Sequence, residues 1–185
     1  FPGISSNGEW VKVETIIGKV NSDNLDLEVI EKAANIIRKG GIVAFPTETV
    51  YGLGAVIYNR ASVENIFTVK GRPGDNPLIV HIYKQEQLAE IALAVPEQAL
   101  ILAQRFWPGP LTMILPKKER IPAEVSAGLP TVAIRLPSHP VAQELLRQTD
   151  QPVAAPSANL SGRPSPTRGS HVITDLSGKI EMIID

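Results

Sequence analysis

In the stretch Lys70-Gly71-Arg72-Pro73-Gly74-Asp75-Asn76-Pro77-Leu78, two cations and an amide stand among residues that form turns. Proline biases the residue before it away from helix, so Arg72 and Asn76 are expected on a stiff, extended loop that loses little entropy on binding. Arg offers a planar fork for phosphate oxygens, Lys adds a point charge, and Asn both donates and accepts. By itself the stretch fits two roles equally. One is an anion clamp; the other is a solvated basic turn in which Lys70 answers the C-terminus of a preceding helix.

Two further clusters carry polar side chains. "IVAFPTETVYGLGA" runs from a buried strand into a polar, glycine-bearing loop with Thr47, Glu48, Thr49 and Tyr51. Strand ends of α/β sheets are where ligands sit, and a tight turn closed by Thr hydroxyls explains the loop as well. Its "GLGAVI" is half of a dinucleotide fingerprint, with Ile57 where the last Gly belongs. "AAPSANLSGRPSPTRG" sets Ser157, Asn159, Ser161, Arg163, Ser165, Thr167 and Arg168 after small residues that let a backbone approach a ligand, though such a loop is also ordinary on a surface.

Two isolated side chains stand out. Arg135 ends the apolar run "TVAIRLP", where a buried guanidinium needs an anion, either an internal carboxylate or a ligand's. His81, inside "IVHIY", fits a hydrogen-bonded core histidine. His81, His139 and His171 lack metal-ligand spacing, and neither a P-loop, a zincin motif nor a nucleophile elbow is present. Positive charge, hydroxyls and amides remain. They suit positioning and charge stabilisation in phosphoryl or nucleotidyl chemistry, and hence an anionic substrate such as a nucleotide.

The elements that must position these groups follow from pattern. "VKVETI" reads as an opening strand and "NSDN" as a turn. "LDLEVIEKAANIIRKGG" reads as a helix with Leu27, Ile30, Ala34 and Ile37 inward and Gly40 or Gly41 as its left-handed cap. "IVAFP" reads as a short strand, and "RASVENIFTVKG" as a helix with Val63, Ile66 and Phe67 inward. Strands follow at "PLIVHIY", "LTMILP", "TVAIRLP", "PVAAP" and "IEMIID", and helices at "PEQALILAQRFWPG", "HPVAQELLRQT" and within "SPTRGSHVITDLSG". This interleaving predicts an α/β fold with a mixed sheet and one domain over 1–185.

Composition narrows the function. The 185 residues are 43% hydrophobic and 20% charged, as in a folded globular chain. Zero cysteines exclude disulfides, thiolate metal sites and a Cys nucleophile. No apolar run is long enough for a membrane span, and the start has no secretory pattern, so a soluble, cytoplasmic chain is expected. A net charge of −1 supplies no global field for polyanions, so an anion site must be local.

The runs "GGIVAFPTETVYGLGA", "KGRPGDNPLIVHI", "FWPGPLTMILP", "TVAIRLP" and "PVAAPSANLSGRPSPT", in this order, closely resemble the YrdC-type threonylcarbamoyl-adenylate synthases. The resemblance implies a twisted α/β sheet around a deep, positively charged cavity. The implied reaction joins ATP, L-threonine and bicarbonate into threonylcarbamoyl-AMP and pyrophosphate, with Mg2+ accompanying ATP. The product would serve the machinery that modifies the adenosine beside certain tRNA anticodons. The family's K-x-R and S-x-N signatures fall on Lys70, Arg72, Ser157 and Asn159, which would be catalytic. Arg72, Asn76, Thr131, Ser157 and Ser165 would contact ATP with Lys70 at its phosphates, and Thr49, His81 and Arg135 would hold threonine. The family pattern continues beyond "IEMIID", so one wall of the cavity is expected outside this chain. A double-stranded RNA or tRNA-binding module and a carbamoyl-adenylate-forming domain of hydrogenase maturation are the alternatives.

Overall fold

The computed structural model describes residues 13–185. Val11 and Lys12 of the expected opening strand lie outside that range, and the strand that forms, β1 (Ile16–Gly18), begins only at its last residue. Helix α1 (Leu27–Arg38) starts at Asp26, whose side chain accepts the Val29 N–H, and it buries Ile30, Ala33, Ala34 and Ile37. Leu27, expected inward, is 55% exposed; at this end Leu25 and Val29 pack against the core instead. Gly40, with φ 89°, closes the helix as expected.

β2 (Val43–Phe45) is followed by a strand that sequence pattern missed, β3 (Gly52–Val56), where a glycine-bearing loop was expected. Its glycines serve packing. A Cβ on Gly54 would lie 2.7 Å from Cε1 of Phe45, and one on Gly52 would lie 3.4 Å from Cζ of the same ring. The half fingerprint is therefore a bed for Phe45 and forms no phosphate loop. Helix α2 (Arg60–Lys70) is capped by the Asn59 side chain and ended by Gly71 at φ 64°, and it buries Val63, Ile66 and Phe67 as expected.

After β4 (Ile79–His81) come two elements without a sequence signal, a 3-10 turn at Gln85–Gln87 and the short α3 (Leu88–Ile91). Then follow α4 (Glu97–Phe106), β5 (Thr112–Pro116), the single turn α5 (Ala123–Ser126), β6 (Thr131–Arg135) and α6 (Pro140–Thr149). The chain continues through β7 (Val153–Ala154) and α7 (Gly169–Leu176) to β8 (Met182–Ile184).

The strands form one mixed sheet in the order β1-β8-β2-β3-β7-β4-β6-β5. β1/β8, β2/β8 and β4/β6 are parallel, whereas β2/β3, β3/β7, β4/β7 and β5/β6 are antiparallel. Side chains alternate between the two faces of a strand, so register tells which residues share a face. On one face α1 and α6 pack on Val43, Phe45, Val56, Val153 and Ile184. The same face of β4, β6 and β5 is left open: Ile114 is 69% exposed, and Ile79, Thr131 and Ala133 are half-buried. The opposite face, through Ala44, Leu53, Val80 and Ile134, packs on Val63 and Ile66 of α2.

Candidate active site

The open strip is built by register. His81 pairs with Arg135 across β4/β6 and with Val153 across β4/β7, so the three share one face of the sheet, Val153 beneath the helices and His81 and Arg135 at the edge of the open strip. Ala155 follows opposite Ile79, its N–H donating to the Ile79 carbonyl at 2.9 Å, and Ser157 bridges Gly52. Gly52 and Ala155 are small, and a hollow of about 320 Å³ opens above them. Thr49, Tyr51, His81, Arg135 and Ser157 line it. Thr47 closes the 47–50 turn: its hydroxyl donates to the Val50 carbonyl at 2.6 Å and accepts the Val50 N–H at 3.3 Å. For Thr47 the turn reading holds, and its hydroxyl lies 3.1 Å from that of Thr49, which lines the hollow.

Arg135 has an internal anion. Its Nη2 lies 2.7 Å from Oε1 of Glu48, with the two side chains 9% and 19% exposed. The contact is close but off-line, so Nη2 and both Glu48 oxygens lack an in-line hydrogen bond. Nη1 donates to the Thr49 hydroxyl at 3.0 Å and Nε to the Gly109 carbonyl at 3.3 Å. Burial raises the Glu48 pKa, but Arg135 and the backbone N–H groups of Glu48 and Ser138 outweigh it and hold the carboxyl below its ordinary value. Nothing in the sequence marked Glu48 as this partner, because the two residues meet only through the sheet.

His81 is 3% exposed, and burial together with the charge of Arg135 pulls its pKa down to about 4. It is neutral at pH 7. Nδ1 lies 3.2 Å from the Ile79 carbonyl, which assigns the proton to Nδ1 and leaves Nε2 an acceptor. His81 is thus a core histidine and a lining residue at once. His139 is structural, since its Nδ1 accepts the Val141 N–H at 3.3 Å and caps α6.

The second cluster meets the first at Ser157. Lys70, at the end of α2, is only 2% exposed, and its Nζ donates to the carbonyls of Ser157 and, at 2.7 Å, of Asn159. It does not answer its own helix end. Arg72 is fixed less by Pro73 than by the helix cap, since its N–H donates to the Phe67 carbonyl at 3.1 Å; its guanidinium lies 5.3 Å from the centre of the Phe67 ring. Nε of Arg72 is buried and has no hydrogen-bond partner among the described residues. Asn159 donates to the carbonyls of Leu160 (2.9 Å) and Arg163 (2.8 Å), and its Oδ1 has no hydrogen-bond partner among the described residues.

Of the remaining candidates, Thr131 opens β6 on the same face as Ala133 and Arg135, and Asn76 is exposed on the loop before β4. Ser165 is set apart from this hollow: with Arg163, Thr167 and His171 it lines a neighbouring one of about 460 Å³. Thr49, His81 and Arg135 therefore come together around one hollow, with Ser157 shared and Lys70 directly behind it. Among the described residues no helix is long and apolar enough to cross a membrane.

Residues 35–185 match the sequence model of the Sua5/YciO/YrdC family, described as telomere recombination. The threonylcarbamoyl-AMP synthase of Pyrococcus abyssi is 56% identical over 156 residues, which cover 84% of this chain and 46% of that protein. The Bacillus subtilis synthase is 55% identical over 157 residues, covering 84% and 45%. A crystal structure of P. abyssi Sua5 complexed with L-threonine matches with a TM-score of 0.90 at 54% identity, over 92% of this chain and 50% of that one. The chain spans about half the length of the curated relatives it matches.

Proposed function

We propose a function from one premise: the chain belongs to the Sua5/YciO/YrdC family. On that premise it forms threonylcarbamoyl-AMP and pyrophosphate from L-threonine, bicarbonate or carbon dioxide, and ATP. The product would serve threonylcarbamoylation of tRNA beside the anticodon, in the cytoplasm. The observation that carries the reading is the convergence of Thr49, His81 and Arg135 on one hollow. A relative 54% identical to this chain has been crystallised with L-threonine.

Each residue has a chemical part in this reading. Arg135 exchanges its off-line contact with Glu48 for the threonine carboxylate, which the guanidinium fork accommodates in line. Neutral His81 accepts a hydrogen bond from the threonine hydroxyl at Nε2, and Thr49 stays on Arg135. The neutral threonine amine attacks carbon dioxide, forming the N–C bond as one C=O π bond opens onto oxygen, and its proton passes to solvent water. An oxygen of the resulting carbamate attacks the α-phosphorus of ATP as the bond to pyrophosphate breaks. Arg72, Asn76, Thr131, Ser157 and Ser165 are assigned to ATP with Lys70 at its phosphates, and Asn159 joins Lys70, Arg72 and Ser157 in the catalytic set.

Positioning and charge neutralisation carry the rate in this scheme. Among the described residues no group of three His, Cys, Asp or Glu side chains could hold a metal. Magnesium would therefore come with ATP as substrate, and no step is routed through it. The test is pyrophosphate release from Mg-ATP, with mass detection of the adenylate, with and without L-threonine and bicarbonate. Release that requires both co-substrates is expected. Release independent of threonine would refute the proposal.

A further inference from the structure

The placement of Lys70 is unusual for a phosphate ligand. Its ammonium is almost fully buried, and it is held by the carbonyls of Ser157 and Asn159. Both peptide planes are also gripped from behind, because C=O and N–H of a trans peptide point in opposite directions. The N–H of Ala158 donates to the Tyr51 carbonyl at 2.8 Å, and that of Leu160 to the Asp175 carboxylate at 3.4 Å. The carbonyl of Lys70 itself accepts the Ser161 N–H at 2.8 Å. The turn 157–161 is thus tied to Lys70 at three points. An ammonium has three donors, so two are engaged inside the protein and one is left for a ligand.

The consequence reaches the hollow through Ser157, which lines it and bridges Gly52 at its rim. We infer that Lys70 is a positioning residue: its ammonium orients the two peptide planes of the 157–161 turn, and so shapes the amino-acid pocket before any nucleotide arrives. A ligand for phosphate alone would leave that pocket untouched. The low polarity around Lys70 agrees with this role, since burial and then the Arg72 charge bring its pKa down to about 8, with Asp175 working the other way. The inference rests on the reading that the hollow takes L-threonine.

The experiment is calorimetric titration of L-threonine, without nucleotide, into wild type, Lys70→Met and Lys70→Gln, alongside hydrogen exchange of amides 157–163 in the ligand-free proteins. Lys70→Met removes the donors from two buried carbonyls, and threonine affinity is expected to fall roughly tenfold with faster exchange confined to the turn. Glutamine carries an uncharged donor on a stem one bond shorter, so Lys70→Gln is expected to lie between the two in both measurements. Wild-type affinity and protection in Lys70→Met would overturn the inference and leave Lys70 a phosphate ligand. Should Lys70→Met not fold, wild-type values for both measurements in Lys70→Gln overturn it equally, and intermediate values support it. If wild type itself fails to bind L-threonine, the proposed function fails, and the exchange data still decide the role of Lys70.

Discussion

Replacing Glu48 by glutamine removes the charge that faces Arg135 while keeping the shape of the side chain. Losing one partner of a fully buried pair costs about 3–5 kcal/mol, because a charge is left uncompensated. Here the Glu48 side chain is 19% exposed and its contact with Nη2 is off-line, while Arg135 keeps Thr49 and Gly109. The expected loss is therefore smaller, about 1–2 kcal/mol, comparable with a hydrogen bond to a charged group. For a chain of this size that lowers Tm by roughly 2–8 °C. Threonine should act in the opposite direction. On the proposed reading its carboxylate displaces Glu48 in wild type but meets an unpaired guanidinium in Glu48→Gln, so the variant should bind L-threonine more tightly and gain more Tm from it. The pH dependence adds a second readout. A carboxyl whose folded pKa is lowered contributes stability that is present above its unfolded value, near 4.5, and is lost as pH falls through the folded value. Wild type should therefore lose an increment on acidification below about pH 4.5 that Glu48→Gln lacks. Differential scanning fluorimetry with and without L-threonine, from pH 3 to 7, measures all three effects. Equal Tm and equal threonine shifts in the two proteins would refute the pairing argument.

Other perturbations follow from neighbouring geometry. His81→Phe keeps a ring beside Phe45 but deletes the Nε2 acceptor, so discrimination between L-threonine and L-valine should fall at least tenfold in competition calorimetry. A neutral buried histidine also penalises acidification: the unfolded chain binds the proton near pH 6.5 and the folded one only near 4, so stability falls as pH drops through that window. Urea titrations at pH 7 and pH 5 should show this slope in wild type and a shallower one in His81→Phe. Gly54→Ala forces a methyl to 2.7 Å from the Phe45 ring and 3.0 Å from Cγ1 of Val153, and should cost roughly 1–3 kcal/mol by denaturant unfolding. Gly74→Ala, whose added carbon would sit at an ordinary 3.7 Å from Phe67, is the matched control and should change little.

Much of the scaffold was legible because local chemistry announces it. Apolar spacing predicts α1 and α2, Gly40 closes the first as expected, and β-branched runs became β4 and β6. β3 was not legible, since glycine has no strand preference and Gly52 and Gly54 are explained only by a ring from the neighbouring strand. Side-chain partners across long separations were equally hidden. Arg135 demanded an anion, but which carboxylate would supply it depended on how the 47–51 loop folds over β6. For Lys70 the partners are main-chain carbonyls, which carry no residue identity at all. The motifs named the residues that line the hollow, whereas their partners came from geometry.

The sheet order has a consequence for how the chain assembles. The first described strand and the last are neighbours, and among the described residues β8 links β1 to β2. During synthesis β1 therefore has no partner among the described strands until β8 has emerged, and β2 meanwhile offers a bare hydrogen-bonding edge of the kind that invites association between chains. Loss of the three residues Met182–Ile184 would strand one element, because among the described strands β1 would be left with no partner, whereas β2 would keep β3.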